Sequence, residues 1–433
     1  MPITVIEGEQ RGDEGKGRFV DMLMPEYEIG VRFNGGDNAG HTVVAPDGEV
    51  YKLHGLPTSV VHEDKTSVIG NGVVVNPIRL VKEIETLQDQ GIEVDPARLL
   101  ISSAAHLTLP CHISRDEVIE SGSARQGSTK SGIGPVYSDK AGRLGLQMHI
   151  IKNNPQKLFE IVERGLLDQR HVRVEEWLPN IDEEAVAFEY VEAAQKLGAF
   201  ITDTTRYLNG ELAKGSNILA EGAQAFLLDV DHGMYPFTTS SSTTAGGVAN
   251  GLGVPPNAVT QVIGVSKAVQ SHVGGGPFVT EIHDEDLLKR LHGDMTTVDA
   301  ERGTTTGRTR RLGYLDLAQI KRSQMVNGVH EMAITKLDWV PRFGDNLRVC
   351  VAYQRKGKIL SDSVDNADKL NQSSPLYRDL PNWTGDIQDV RKFKDLPDEA
   401  QNFIGVIEET TGRPVTRIGV GPGRDQVIDR TKD

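Results

Sequence analysis

Short apolar runs and helical apolar stripes alternate along this chain. The run Ile3-Thr4-Val5-Ile6 predicts a strand, and Lys16–Met24 then places Phe19, Val20 and Leu23 on one helical face. Leu80, Val81, Ile84 and Leu87 recur at helical spacing within Pro77–Gln90, and Gly91 just beyond marks the end of that helix. Leu99–Ser102 reads as a strand, Glu184–Leu197 as a helix, and Asn217–Ala220 as a strand running into Glu221-Gly222-Ala223-Gln224. Further on, Ala258–Val265, Met332–Thr335 and Leu347–Tyr353 predict strands, and Asp284–Leu291, Leu315–Val326 and Glu399–Thr410 predict helices. Val415–Gly419 is expected to be the last strand. This order predicts an α/β fold with a large, mostly parallel central sheet flanked by helices. Residues 101–215 hold few strand-like runs and are expected to form a helical subdomain. Residues 340–433 are expected to form a smaller C-terminal unit. No Ser/Pro-rich linker separates these parts, so 1–433 reads as one domain.

Two glycine-rich loops follow the first two apolar runs. Gly12-Asp13-Glu14-Gly15-Lys16-Gly17 comes after Ile3–Ile6, and Asn34-Gly35-Gly36-Asp37-Asn38-Ala39-Gly40-His41-Thr42 comes after Val31-Arg32-Phe33. Glycines let backbone N–H groups approach an anion, a following helix turns its N-terminus towards it, and Lys16 adds a positive charge. The first loop is not a Walker A motif: position 10 is Gln, and Gly17 follows Lys16 where a hydroxyl for Mg²⁺ would stand. Its Asp-Glu pair repels phosphate unless a carboxylate holds a metal or moves a proton, which points to chemistry rather than nucleotide storage. The plainer alternative is a βα turn with a surface lysine. Parallel sheets gather ligands at the carboxyl ends of their strands, so both loops are expected to face one crevice. His41, with an ordinary pKa of about 6.5, suits a general acid. In isolation it reads more simply as a turn histidine.

Three later segments carry further candidate chemistry. Thr238–Thr244 is a run of seven hydroxyl residues, most of them expected on a solvated loop, and Gly246-Gly247 follows it. Arg302–Arg311 holds four arginines among Gly and Thr, suited to capture of a small dianion. Thr335-Lys336-Leu337-Asp338 follows a predicted strand and has the form of a guanine-reading motif, in which the carboxylate accepts from N1–H and the 2-amino group.

Composition narrows the partners. The chain has 433 residues, 38% hydrophobic and 25% charged, with 47 Lys and Arg against 61 Asp and Glu, a net charge of −14. That balance argues against general nucleic-acid binding, which needs clustered cations. The two cysteines, Cys111 and Cys350, lack metal-ligand spacing, and a reducing compartment is the simpler expectation. No run approaches the roughly 20 apolar residues of a membrane span, and no basic and apolar leader precedes Ile3. A cytoplasmic protein is expected.

Taken together the motifs resemble those of the adenylosuccinate synthetase family, nearly end to end. They comprise Gln10-x-Gly12-Asp13-Glu14-Gly15-Lys16-Gly17, Gly35-Gly36-x-Asn38-Ala39-Gly40-His41-Thr42, and Gly132-Ile133-Gly134-Pro135-x-Tyr137-x-x-Lys140-x-x-Arg143. Glu221-Gly222-Ala223-Gln224, Asp231-His232-Gly233-x-Tyr235-Pro236, Thr305-Thr306-Gly307-Arg308, Thr335-Lys336-Leu337-Asp338 and Gly421-Pro422 continue the series. The resemblance implies a fold related to P-loop nucleotide hydrolases. It implies GTP-dependent ligation of IMP and L-aspartate to adenylosuccinate through a 6-phosphoryl-IMP intermediate. Asp13 would be the base and His41 the general acid, with Lys16 and Gln224 completing the catalytic set. Mg²⁺ would be held by Asp13 and the Gly40 carbonyl. GTP would contact Gly12, Glu14, Gly15, Lys16, Gly17, Gly40, His41, Thr42 and Arg310. Lys336 and Asp338 would read guanine, with Gly419 and Gly421 from the C-terminal unit behind the base. Asn38, Thr129, Gln224 and Thr239 would hold IMP. Arg143 would reach the neighbouring site of a homodimer. Thr304, Thr305, Thr306, Arg308 and Arg310 would clamp aspartate.

The chain departs from the family pattern at a few positions. Arg11 stands for Trp, Asp37 for His, and Ser128-Thr129-Lys130-Ser131 for Thr-Thr-Gly-Arg. Gly419-Val420-Gly421-Pro422-Gly423 replaces Ser-Thr-Gly-Pro-Asp. Two alternatives stay open at this point: the same ligation on a 2-amino purine monophosphate such as (d)GMP, or a non-catalytic GTP-binding module. Retention of Asp13 argues against the first, and the second needs neither Asp13 nor the Arg308 loop.

Overall fold

The structure, a computed structural model, describes residues 3–45, 48–122, 126–167, 182–293, 301 and 309–432. Its centre is a 10-stranded sheet. In chain order the strands are β1 (Ile3–Gly8), β2 (Ile29–Arg32), β3 (Thr66–Ile69), β4 (Leu99–Ser102), β5 (Ile201–Thr202), β6 (Ile218–Glu221), β7 (Val259–Lys267), β8 (Glu331–Thr335), β9 (Val415–Gly419) and β10 (Val427–Asp429). Across the sheet they run β10-β9-β8-β7-β1-β6-β2-β3-β4-β5. All neighbours are parallel except β9 and β10. Strands β1, β2 and β6 are buried throughout, which is why they read as apolar runs without alternation.

This order positions the site. β6 lies between β1 and β2, and β7 and β8 continue on the other side of β1. The loops after β1 and β2 therefore emerge at one edge, as expected from the sequence. Helix α1 (Lys16–Leu23) starts at the first loop, and α2 (Pro77–Asp89) starts at Asn76, whose side chain accepts the Arg79 N–H at 3.3 Å.

The expected helices and strands are present within a few residues. Several pieces of sheet were not anticipated. β3 is only half apolar, and His41–Val44 pairs with Val50–Leu53 in a hairpin, so His41 opens a strand. β10 follows β9, which is thus not the last strand, and caps the sheet edge antiparallel.

Residues 101–215 are rich in helix, including α3 (Pro110–Ser121) and α4 (Ile133–Gly142). The helix Glu183–Lys196 buries Ala187, Tyr190, Val191 and Ala194 in the same apolar cluster as Ile101 of β4 and Val75. This helical region thus shares its core with the sheet. Within 340–433, Arg348–Arg355 forms an antiparallel sheet with Lys358–Leu360 and Ser374–Asp379, whereas β9 and β10 return to the central sheet. Among the described residues, no helix is long and apolar enough to cross a membrane.

Candidate active site

A cleft of about 610 Å³ opens at the carboxyl ends of the central strands. Its walls take Asp13 and Lys16 from the first loop, Asn38 and His41 from the second, and Gln224 from the segment after β6. Thr129, Thr239 and Arg310 complete it.

The first loop is shaped by left-handed residues. Gly12, Asp13 and Gly15 have φ of 90°, 60° and 86°. Asp tolerates that region better than most residues because its short side chain is polar. Gly15 is the N-cap of α1, so the helix N-terminus and Lys16 face the cleft together. The β8 end clamps the loop from beneath, where the Thr335 hydroxyl donates to the Glu14 carbonyl at 2.7 Å.

Glu14 differs from expectation. Its carboxylate is fully buried, accepting the Gly12 N–H at 2.7 Å and the Lys16 ammonium at 2.9 Å. A carboxylate inside the fold needs such partners. The side chain therefore braces the loop from within, and only its main chain remains for an anion. The repulsion that its charge implied is relieved by turning inward.

His41 has a buried partner that the sequence did not identify. Its Nδ1 bonds Glu221 at the end of β6, which leaves Nε2 for an occupant of the cleft. The Glu221 carboxylate also accepts the Thr58 N–H at 2.8 Å and the Thr58 hydroxyl at 2.7 Å. Burial alone would raise its pKa. His41, the Arg32 guanidinium and the Thr58 N–H outweigh that and hold it at about 2. The available signal was an acid ending a buried strand. Gly17 packs against the same ring: a Cβ there would lie 3.0 Å from the His41 Cβ.

The second loop and the segment after β6 are stitched together. Asn34 accepts the Ala223 N–H at 2.9 Å and donates to the Ala223 carbonyl at 3.2 Å, as a strand would. Gln224, with φ of 59°, donates to Asn38 Oδ1 at 3.1 Å. Its own amide oxygen is buried with no protein partner, an acceptor open to a ligand donor.

Glu301 anchors three cations of the cleft. It binds Lys267 at 3.0 Å, Arg310 at 3.0 Å and Lys336 at 3.7 Å, and it is itself fully buried. Burial would raise its pKa, but Lys267, Arg310 and Lys336 hold it at about 2. Arg310 reaches onward to Asp13 at 2.8 Å, so the proposed base is paired with a guanidinium in this state. Neither Glu301 nor Lys267 was singled out from the sequence, because their partners are far apart in the chain.

On the far wall, Ser128 donates to Asp116 Oδ1 at 2.7 Å and the Gly132 N–H to Asp116 Oδ2 at 2.9 Å, fixing the segment that carries Thr129. The hydroxyl run 238–244 is not the solvated loop expected. Ser241, Thr243 and Thr244 are buried and the other four are half-buried. Asp229 accepts the Thr243 N–H at 2.7 Å, and the Asn34 amide donates to the Ser241 hydroxyl at 3.2 Å.

Arg11 also lines the cleft. Its buried guanidinium stacks 4.5 Å from the Phe278 ring centre, and burial pushes its pKa down to about 10.

The remaining candidates lie partly in this cleft, partly apart from it and partly outside the described residues. Lys336 has φ of 61°, lines the cleft, and sets its ammonium 3.5 Å from the Trp339 ring centre. Asp338 is half-buried, and Gly419 and Gly421 are buried alongside β8, beyond the cleft wall. Arg18 packs against Gly419 and donates to the Gly423 and Gln426 carbonyls at 2.7 and 2.6 Å. Arg143 is exposed at the end of α4, away from the cleft of its own chain. Thr304, Thr305, Thr306 and Arg308 lie outside the described residues.

Comparison with known proteins gives one answer. The model of the adenylosuccinate synthetase family matches residues 5–428. The adenylosuccinate synthetase of Exiguobacterium sibiricum is 41% identical over 99% of this chain and 98% of its own length. That of Streptomyces griseus is 41% identical over 99% of both chains. The structure of fully ligated adenylosuccinate synthetase from Plasmodium falciparum superposes with a TM-score of 0.89 at 33% identity, covering 99% of this chain and 100% of that one. A cyanophage succinoaminodeoxyadenylate synthetase bound to dGMP and dATP has a TM-score of 0.63 at 19% identity, covering 99% of this chain and 95% of that one, a likeness of fold alone.

Proposed function

Because the chain belongs to the adenylosuccinate synthetase family, GTP-dependent ligases of IMP and L-aspartate, we propose that Asp13 and His41 carry the first chemical step of that ligation. One observation supports this most: the two side chains line one cleft, and each is oriented by a buried partner, Arg310 for Asp13 and Glu221 for His41.

In this reading Asp13 takes the N1 proton of IMP, and the electron pair released moves to O6. O6 attacks the γ-phosphorus of GTP, and the bond from that phosphorus to the β–γ bridging oxygen breaks. His41 donates to the departing oxygen from Nε2 while Glu221 holds the ring. Lys16 and the N–H groups at the start of α1 take up charge on the transferring phosphoryl group. The aspartate amine then displaces phosphate from C6. Asn38, Gln224, Thr129 and Thr239 line the cleft where IMP would lie. Lys336, Asp338, Gly419 and Gly421 would take the guanine of GTP, beside the cleft.

The donor set fits Mg²⁺. Asp13 and the Gly40 carbonyl are hard oxygen donors on the cleft wall, and no cluster of three or more His, Cys, Asp or Glu ligands occurs among the described residues. Held by these two oxygens, a Mg²⁺ ion would supply positive charge against the phosphates. Arg310 would then transfer from Asp13 to a carboxylate of aspartate. The exposed Arg143, outside its own cleft, supports a homodimer in which it reaches the partner's site.

The test is Asp13→Ala and His41→Ala, with turnover followed by absorbance and IMP and GTP binding by calorimetry. Loss of turnover on the order of 10³-fold or more with binding retained supports the assignment. Unchanged turnover in either variant refutes that residue's role.

A further inference from the structure

Two departures from the family pattern, Asp37 and Ser131, lie on different loops, yet one side chain joins them. Arg79 Nη1 donates to Asp37 Oδ2 at 2.8 Å and to the Ser131 hydroxyl oxygen at 2.9 Å. That oxygen also accepts the Thr129 hydroxyl at 3.1 Å. A continuous chain thus runs from the second glycine loop through Arg79 to a hydroxyl on the cleft wall.

The two groups that Arg79 bonds are buried, and Arg79 itself is not. Asp37 and Ser131 are enclosed, whereas the Arg79 side chain is 43% exposed. Its backbone is fixed in the first turn of α2, where its N–H bonds the Asn76 cap. A guanidinium on a rigid helix, gripped by a carboxylate on one side, sets the place of the hydroxyl on the other. The charge arrangement is self-consistent: where the family pattern has cations or neutral groups at 37 and 131, this chain has a carboxylate and a hydroxyl, the two partners that an arginine between them requires. Among the described residues Arg79 is the side chain that donates to Asp37, whose second oxygen is buried without a hydrogen-bond partner.

We propose that Arg79 is a positioning residue for the purine nucleotide, holding Ser131 and through it Thr129 in place on the nucleotide wall of the cleft. Arg79 does not itself line the cleft and touches no substrate. The inference rests on Thr129 being an IMP ligand, as argued above.

Arg79→Ala, Ser131→Ala, the double variant and Arg79→Lys test it by steady-state kinetics, with IMP binding measured by calorimetry on the same proteins. Arg79→Ala is expected to raise KM and Kd for IMP about tenfold, the size of one hydrogen bond to a charged group. The values of kcat and of KM for GTP and aspartate should stay within about twofold, because the chain reaches only the IMP wall. Ser131→Ala should do the same, and the double variant should add nothing, since both break one chain. Arg79→Lys should recover part of the loss. Unchanged IMP affinity in Arg79→Ala overturns the proposal, as does a parallel fall in every kinetic constant and in Tm. Full additivity of the two losses also overturns it. A parent protein that binds IMP but does not turn over contradicts the ligase reading alone, and Arg79 is then judged on the Kd ratios.

Discussion

Glu221 and Glu301 are expected to bear on the reaction through the side chains they hold. Glu221 fixes which ring nitrogen of His41 is free, and Glu301 fixes where Lys267, Arg310 and Lys336 converge. Glu221→Gln keeps the shape but removes the charge beside Nδ1. It should lower kcat on the order of 10²-fold with little change in KM for GTP, as loss of an oriented general acid does. An unchanged kcat would show that His41 needs no such partner. Glu301→Gln leaves three cations facing a neutral amide. It should cost about 3 kcal/mol of stability, read as a lower denaturant midpoint at unchanged slope. Asp13, Lys16 and His41 were legible in the sequence because the chemistry is local: a glycine loop exists to bring backbone and charge to an anion. Glu221, Glu301 and Lys267 were not assigned, because pairing across distant segments leaves no local pattern. The inward turn of Glu14 was not legible for the same reason. Its charge was visible, but the burial that turns it inward was not.

At the level of elements, the loops can meet only because the backbones between them approach closely. A Cβ on Gly251, in the short helix Gly247–Leu252, would lie 2.1 Å from the Phe33 carbonyl oxygen at the end of β2. That oxygen is main chain and cannot swing away. Gly251→Ala should therefore destabilise by about 1–3 kcal/mol, measured by urea unfolding, and should raise KM for IMP by disturbing the second loop. A wild-type midpoint would mean that the helix shifts freely. Buried parallel strands such as β1, β4 and β8 were legible as apolar runs. β3, with Thr66 and Ser67, and the two-residue β5 carry too little pattern to stand out. The hydroxyl run 238–244 was read as solvated because its composition is polar. In the fold, Asp229 and Asn34 satisfy it and hold it against the cleft.

The whole molecule stacks buried carboxylates beneath its phosphate loop, and this sets how stability responds to pH. Burial pushes Glu9 up to about 7, against donors from Ser266 and Gln324, with the nearby Glu14 adding to the rise. A carboxyl raised in the fold keeps a proton that the unfolded chain releases near 4.5, so stability falls as pH rises from there through about 7. Glu221 and Glu301, held at about 2, act in the opposite sense: their stabilisation is complete above about 4.5 and is lost as pH falls towards 2. Tm should therefore peak on the mildly acidic side. The Tm of Glu9→Gln relative to the parent should climb between pH 5 and pH 8. A constant difference across that range would contradict the ionisation assigned to Glu9. Strand order was the least legible feature. That β6 enters between β1 and β2 is decided by how the whole sheet buries its faces, and this insertion brings Glu221 to His41.

The family to which this chain belongs ligates IMP and aspartate at the expense of GTP. The most direct measurement is a steady-state absorbance assay with IMP, L-aspartate, GTP and Mg²⁺, run in parallel with GMP in place of IMP and with ATP in place of GTP. Turnover to adenylosuccinate with IMP and GTP, and not in either replacement, is the predicted result. Turnover with GMP in preference to IMP, with ATP in preference to GTP, or with none of the combinations would contradict it.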